Sequence, residues 1–287
     1  MSMLPPPPPP IPAPPSGMAG SPTGGSLIAS AWASLKQDRE LIALPVLGGV
    51  VALLGALPLV LAAVVIGDNA GWATILLGAV TIFGGAIIST FFAVALAAGA
   101  HERMNGGSPT ISSALTVAWS RKRGIIGWAL LSTTVGLVLR SLEDRLKGFG
   151  TILRFIGGVA WTLASYFAIP VIASNDCGAI EALKMSAATF KSRWSSAVRV
   201  QLRMGLYVLA LMVAGFAAAA IVIALASVSV ALAIIVGIAL GGVWLVGVLL
   251  LSAVSSYARV VLYRYASGMS TPGFSANMLN AAVTSKS

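Results

Sequence analysis

Long uncharged apolar runs alternate with short polar ones along this chain. The runs cover 41–66, 72–100, 124–139, 155–173, about 205–227 and about 232–258. A helix rises ~1.5 Å per residue, so ~20 residues cross a ~30 Å hydrocarbon core. Each run is therefore predicted as a membrane-spanning helix. The first, ~39 Å if straight, must tilt, kink or fray. The third is short, and Arg140 extends it by snorkelling. Tight turns are expected at 67–71 and 228–231.

The polar stretches have a helical period of their own. Leu27, Ile28, Ala31, Trp32 and Leu35 share one face of a predicted helix over 26–40. Ile111, Leu115, Ala118 and Trp119 mark a second, closed by Arg121-Lys122-Arg123. In the third, Ile180, Leu183, Ala187, Phe190 and Trp194 recur in steps of 3 and 4, with Lys184, Lys191 and Arg193 mostly off that face. Ser174-Asn175-Asp176 supplies the N-cap types before it. A basic helix with aromatics on its apolar face suits a membrane surface; the alternative is a plain helix packed on the bundle. Residues 140–154 also alternate a leucine face with charges and are predicted as an interfacial helix in an elaborated loop, the alternative being part of a re-entrant segment. The expected membrane-surface or partner contacts are Trp32, Trp119, Arg121, Lys122, Arg123, Lys184, Phe190, Lys191, Arg193 and Trp194.

Surface helix, span, turn and span thus recur over 26–101, 110–176 and 178–267. Each second span ends similarly, at Phe92-Ala93-Val94, Phe167-Ala168-Ile169 and Tyr257-Ala258-Arg259. The expected fold is all-α: a polytopic bundle of about six transmembrane helices with three amphipathic surface helices, and a possible threefold hairpin repeat. Residues 1–25 hold ten of the fifteen prolines and are expected to form a disordered, polyproline-II-like cytoplasmic tail. It is either a tether or a docking segment for a proline-reading partner. Residues 26–267 form the membrane domain, and 268–287 are expected to be a flexible cytoplasmic tail.

Composition sharpens the reading. Only 9% of residues are charged, against about 25% in a soluble domain. The net charge of +10 then becomes a topology signal, since no basic run interleaved with aromatics suggests nucleic acid. Fourteen Lys and Arg fall on the side of the surface helices and four on the other, all four in 140–154. This excess places both termini in the cytoplasm of a plasma (inner) membrane protein.

Chemistry is sparse. No Asp, Glu, Lys, Arg or His falls within the six apolar runs, which argues against an ion-coupled carrier. Ser132, Thr133, Thr134, Thr162, Ser165, Ser252, Ser255 and Ser256 are polar candidates, best explained by packing. One histidine, His101, and one cysteine, Cys177, build neither a metal site nor an intrachain disulfide. No nucleophile, base and acid set and no phosphate loop is visible, so no enzymatic activity and no cofactor is expected.

Ile169-Pro170-Val171, Gly178-Ala179-Ile180-Glu181-Ala182-Leu183-Lys184 with Ser186, and Phe190 with Trp194 resemble an uncharacterised family of bacterial integral-membrane proteins. Ser30, Trp32, Leu44-Pro45-Val46 and Gly127-Trp128-Ala129 support that resemblance, which covers about 26–267. The chain is also distantly similar to the membrane domain beside some glycerophosphodiester phosphodiesterases, without their catalytic domain. The resemblance implies a six-helix inner-membrane bundle with no assigned reaction. Two roles are open: an accessory or scaffold binding lipid or a membrane-protein partner, or a permease-like conduit for an apolar or lipidic solute.

Overall fold

The computed structural model describes residues 24–66, 71–146, 149–192, 194–274 and residue 279. The proline-rich segment expected to be disordered lies outside the described residues, apart from its last two positions. Ten helices and no strand make up the described residues. The first surface helix, α1 (Gly24–Gln37), leads into hairpin α2 (Arg39–Ile66) and α3 (Gly71–Met104). The second, α4 (Ile111–Ser120), leads into α5 (Lys122–Arg145), α6 (Phe149–Ala164) and α7 (Ala168–Ser174). The third, α8 (Ala179–Ser192), leads into α9 (Trp194–Ala226) and α10 (Val230–Ala266). Six helical segments are long and apolar enough to cross a membrane, with α6 and α7 together forming the fourth.

The hairpins are joined cyclically. α4 packs on α3 and α2, α8 packs on α5, α6 and α7, and α1 packs on α10 and α9. Each surface helix therefore sits against the hairpin that precedes it, and α1, which has no predecessor, takes the last one and closes the ring. The second span of each unit faces the centre, where α3, α7 and α10 touch one another. This placement gives the threefold pattern of the sequence a physical meaning: equivalent elements have equivalent neighbours.

Burial is concentrated at the end that carries the surface helices. Val94–Ala100 of α3, Phe167, Ala168, Val171 and Ile172 around α7, and Val260–Tyr263 of α10 form its core. The most apolar windows of α2, α3, α9 and α10 bury none of their residues, and Val65 is 86% exposed. In water such a surface would drive association. In a bilayer it is the lipid-facing surface, since helices bond most of their backbone internally.

Five expectations need correction. Residues 140–154 are not one interfacial helix: α5 runs on to Arg145, the chain turns, and α6 begins at Phe149. The two arms are tied by an Arg154–Glu143 ion pair, so the charges close a hairpin tip. The fourth span is not continuous either. Pro170 lacks an N–H, and its ring clashes with the carbonyl of Tyr166 four residues back. The helix breaks at 165–167, and the freed Phe167 N–H donates to Ser186 Oγ of α8 at 2.9 Å. The sixth span extends beyond its apolar run, bringing Arg259 and Arg264 into α10. α3 similarly continues through His101, Glu102 and Arg103. The tail after 267 is not wholly free, because Phe274 and Leu279 are buried and Phe274 packs near Tyr257. Finally, the buried face of α8 is rotated: Ala182 and Ser186 face inward, while Ile180 is exposed. Small residues four apart let two helix backbones approach closely. Ala114 and Ala118 do the same in α4.

Candidate functional site at the surface-helix end

Two polar arrangements occupy this end: a basic rim and a buried knot beneath it. The rim holds most of the surface residues singled out from sequence. Trp119 is 65% exposed, stands edge-on to Phe91, and carries the Lys122 ammonium over its ring at 5.4 Å. Lys36 sits similarly over the half-buried Trp32 at 5.5 Å. Arg123, Lys184 and Lys191 are exposed. Arg121 reaches Asp176 at 3.5 Å, joining the start of α5 to the end of α7. Asp38 and Arg103 make the corresponding tie in the first hairpin, with the charges reversed. Phe190 is not a surface contact. It is buried against Tyr166 and Phe167, because rotation of α8 turns it into the core. Arg193 and the Trp194 side chain lie outside the described residues.

The knot forms where α3, α7 and α10 meet, and two helix C-caps position it. α3 ends with Gly106 at φ 86° and a Gly107 N–H to Glu102 carbonyl bond, leaving Asn105 on the closing turn. α10 ends with Gly268 at φ 72° and a Met269 N–H to Arg264 carbonyl bond. A left-handed residue is the usual way to close a helix, and glycine adopts it without steric cost. The second cap folds the Ser270 carbonyl back onto Arg264 Nε at 2.9 Å. Arg264 Nη2 donates to Asn105 Oδ1 at 2.8 Å, and Nη1 lies 3.3 Å from His101 Nδ1. Arginine can only donate, so Nδ1 accepts and the imidazole proton sits on Nε2. That Nε2 is buried, and the Pro170 backbone interacts with the ring. Tyr263 stands edge-on to His101, and its hydroxyl meets Ser174 Oγ at 3.3 Å and Asn175 Nδ2 at 3.4 Å.

Arg264 is 4% exposed, yet no carboxylate pairs with it among the described residues. Arg259, one turn and a half earlier, bonds back to Ser255 of its own helix at 3.2 and 3.4 Å. Both arginines follow the apolar run of the sixth span, which ends near residue 258. The signal that finds them is the polar stripe Ser252, Ser255, Ser256 and Arg259 on the helix leading to Arg264.

Two cavities lie farther out. One of about 210 Å³ sits where α2, α3 and α10 converge, lined by Gly48, Phe92, Ser89, Ser252 and Ser256 among others. Another, of about 560 Å³, is an apolar cleft between α9 and α10 around Gly215, Gly241 and Trp244. Ser132, Thr133 and Thr134 line neither, and Ser132 Oγ donates to its own helix at Ala129 O. Cys177 is buried beside Gly124, and burial pushes its thiol pKa up. Among the described residues no three His, Cys, Asp or Glu side chains converge as metal ligands would.

Residues 69–274 match the Family of unknown function (DUF6159). The match spans well over half of the 287 residues and ends at the buried Phe274, where the fold's last described continuous segment also ends. Nothing connects the chain to the glycerophosphodiester phosphodiesterase membrane domains. No curated protein and no solved structure matches it. The chain belongs to the DUF6159 family.

Proposed function

We propose that this DUF6159 member is a non-catalytic multi-pass protein of the plasma membrane that gathers anionic lipid at its surface-helix end, with both termini in the cytoplasm. One observation carries the reading. Exposed cations from all three units, Lys36, Lys122, Arg123, Lys184 and Lys191, ring the same end as the exposed Trp119 and Ile180. An apolar side chain beside an ammonium is the pairing a headgroup boundary rewards. Each basic residue near an anionic leaflet adds ~1 kcal/mol. Nearby acids are fewer, and Asp176 is engaged with Arg121.

The test is lipid composition around the protein. Full-length protein is placed in nanodiscs of phosphatidylcholine with a minor fraction of phosphatidylglycerol, and its retained lipids are weighed by native mass spectrometry. Wild type should be enriched in phosphatidylglycerol. A variant carrying Lys122→Gln, Arg123→Gln, Lys184→Gln and Lys191→Gln should approach the bulk ratio. Unchanged enrichment rejects the reading. A stoichiometric protein in extracts from the native membrane, lost in that variant, would instead assign the rim to a protein partner.

The second reading is a conduit for an apolar solute. The 210 Å³ cavity at the meeting of α2, α3 and α10, with three serine hydroxyls on its wall, favours it. Filling the cavity with Ser252→Leu would then abolish solute passage in proteoliposomes while leaving lipid enrichment intact.

A further inference from the structure

We infer that Arg264, with Asn105 across it, forms a discrete site for one phosphate-type oxyanion beneath the basic rim. The inference rests on the anionic-lipid reading only for the source of the anion. The site itself stands on charge and geometry.

A guanidinium removed from water loses hydration that neutral acceptors replace only in part; buried arginines are normally paired. Arg264 meets three neutral groups: the Ser270 carbonyl, the Asn105 side-chain carbonyl and the His101 Nδ1. The chain has eight carboxylates. Asp38 is bound by Arg103, Asp176 by Arg121, and Glu143 by Arg154. Glu40 accepts from the Ile111 N–H, and Glu102 from the Ser113 hydroxyl. Glu181 and Asp144 form no ion pair with Arg264, and Asp68 lies outside the described residues. The knot therefore holds a full positive charge with no internal counterion among the described residues.

Asn105 marks where an anion enters. It is exposed, it stands on the glycine-closed turn of α3, and its Oδ1 already occupies an acceptor position 2.8 Å from Nη2. An oxyanion oxygen taking that position would keep the hydrogen bond and add the missing charge, and each η nitrogen has a second proton for a forked contact. The rest of the knot is fixed: Nε is held by the Ser270 carbonyl of the α10 cap. The surrounding rim of lysines and arginines raises the local concentration of such anions.

The experiment uses the full chain with two probes, phosphatidylglycerol in phosphatidylcholine nanodiscs and inorganic phosphate in detergent. Wild type should hold one tightly retained phosphatidylglycerol, resistant to dilution, within the broader enriched shell. Arg264→Gln should weaken that retention at least tenfold. The more telling variant is Asn105→Asp, at an exposed position that leaves the core untouched. Its carboxylate supplies the counterion internally, so it should expel the bound anion at least tenfold and raise the melting temperature of lipid-free protein. Phosphate raising the melting temperature of wild type but not Asn105→Asp, without lipid retention, would make the ligand a free anion and uphold the site. Undiminished retention of both probes in Asn105→Asp overturns the proposal. The four-residue rim variant separates the two ideas: it should thin the lipid shell but keep the single tight lipid. Loss of the shell with no tight lipid in wild type would leave the rim reading standing and sink this one.

Discussion

The break in the fourth span rests on one hydroxyl, and removing it should be costly in a specific way. Ser186 is 0% exposed, and its Oγ accepts from the Phe167 N–H at 2.9 Å. Ser186→Ala strands that donor in the core, at a cost of ~1–3 kcal/mol. At ~2–4 °C per kcal/mol for a chain approaching this size, the melting temperature in micelles should fall by on the order of 5 °C. The same substitution in a Pro170→Ala background should behave differently. Alanine restores the missing N–H and removes the ring that clashes with the Tyr166 carbonyl. α6 and α7 can then join, and the Phe167 N–H returns to the Leu163 carbonyl as in any continuous helix. The cost of Ser186→Ala should drop below ~0.5 kcal/mol, giving a coupling of ~1–2 kcal/mol in the double-mutant cycle. Unfolding of all four proteins in the same micelles provides the cycle. An equal cost in both backgrounds would refute the reasoning, as would a Ser186→Ala protein within ~0.5 kcal/mol of wild type.

Other substitutions probe the ring of contacts at the same end. A Cβ at Gly124 would stand 2.6 Å from the Cys177 carbonyl oxygen, so Gly124→Ala must move backbone and should cost ~1–3 kcal/mol by thermal melting. Asp38 is buried and tied to Arg103, so Asp38→Asn should destabilise by ~1–3 kcal/mol, more than Asp176→Asn at the exposed end of the second tie. The Cys177 thiol is pushed up chiefly by burial, with Glu181 and Asp176 adding and Arg121 opposing. Its alkylation by iodoacetamide near neutral pH should be slower than that of free cysteine and should quicken as pH rises. Arg121→Gln should slow it further, because the opposing charge is gone. A rate matching free cysteine would contradict this.

Length and apolar run were enough to find the six spans, since hydrocarbon thickness sets both. Period was enough for the three surface helices and for the inward face of α1, where Leu27, Ala31 and Leu35 are all buried. It was not enough for α8. There the inward positions are Ala182 and Ser186, chosen for small size and one hydroxyl, so hydrophobicity points to Ile180 and away from them. The break at 165–167 was half visible in Pro170, but the acceptor that stabilises it is nineteen residues away in sequence. Treating charge as the end of a span hid the buried knot. Helices α3 and α10 carry His101, Arg259 and Arg264 inward because their last turns are packed by neighbouring hairpins. No local pattern records that tertiary fact. The cyclic placement of α1 was likewise invisible to a linear repeat, which leaves the first surface helix without a predecessor.

Everything functional here depends on the three surface helices sharing the cytoplasmic face. Single cysteines at Lys36, Lys122 and Lys184, and at Leu146 and Ser229 of the opposite turns, can be introduced into a Cys177→Ser chain. Labelling by a membrane-impermeant maleimide in intact cells then reads the side directly. The account predicts that positions 36, 122 and 184 react only after the membrane is breached, and that 146 and 229 react in intact cells. Labelling of any surface-helix position from outside, or a split among the three, would contradict it.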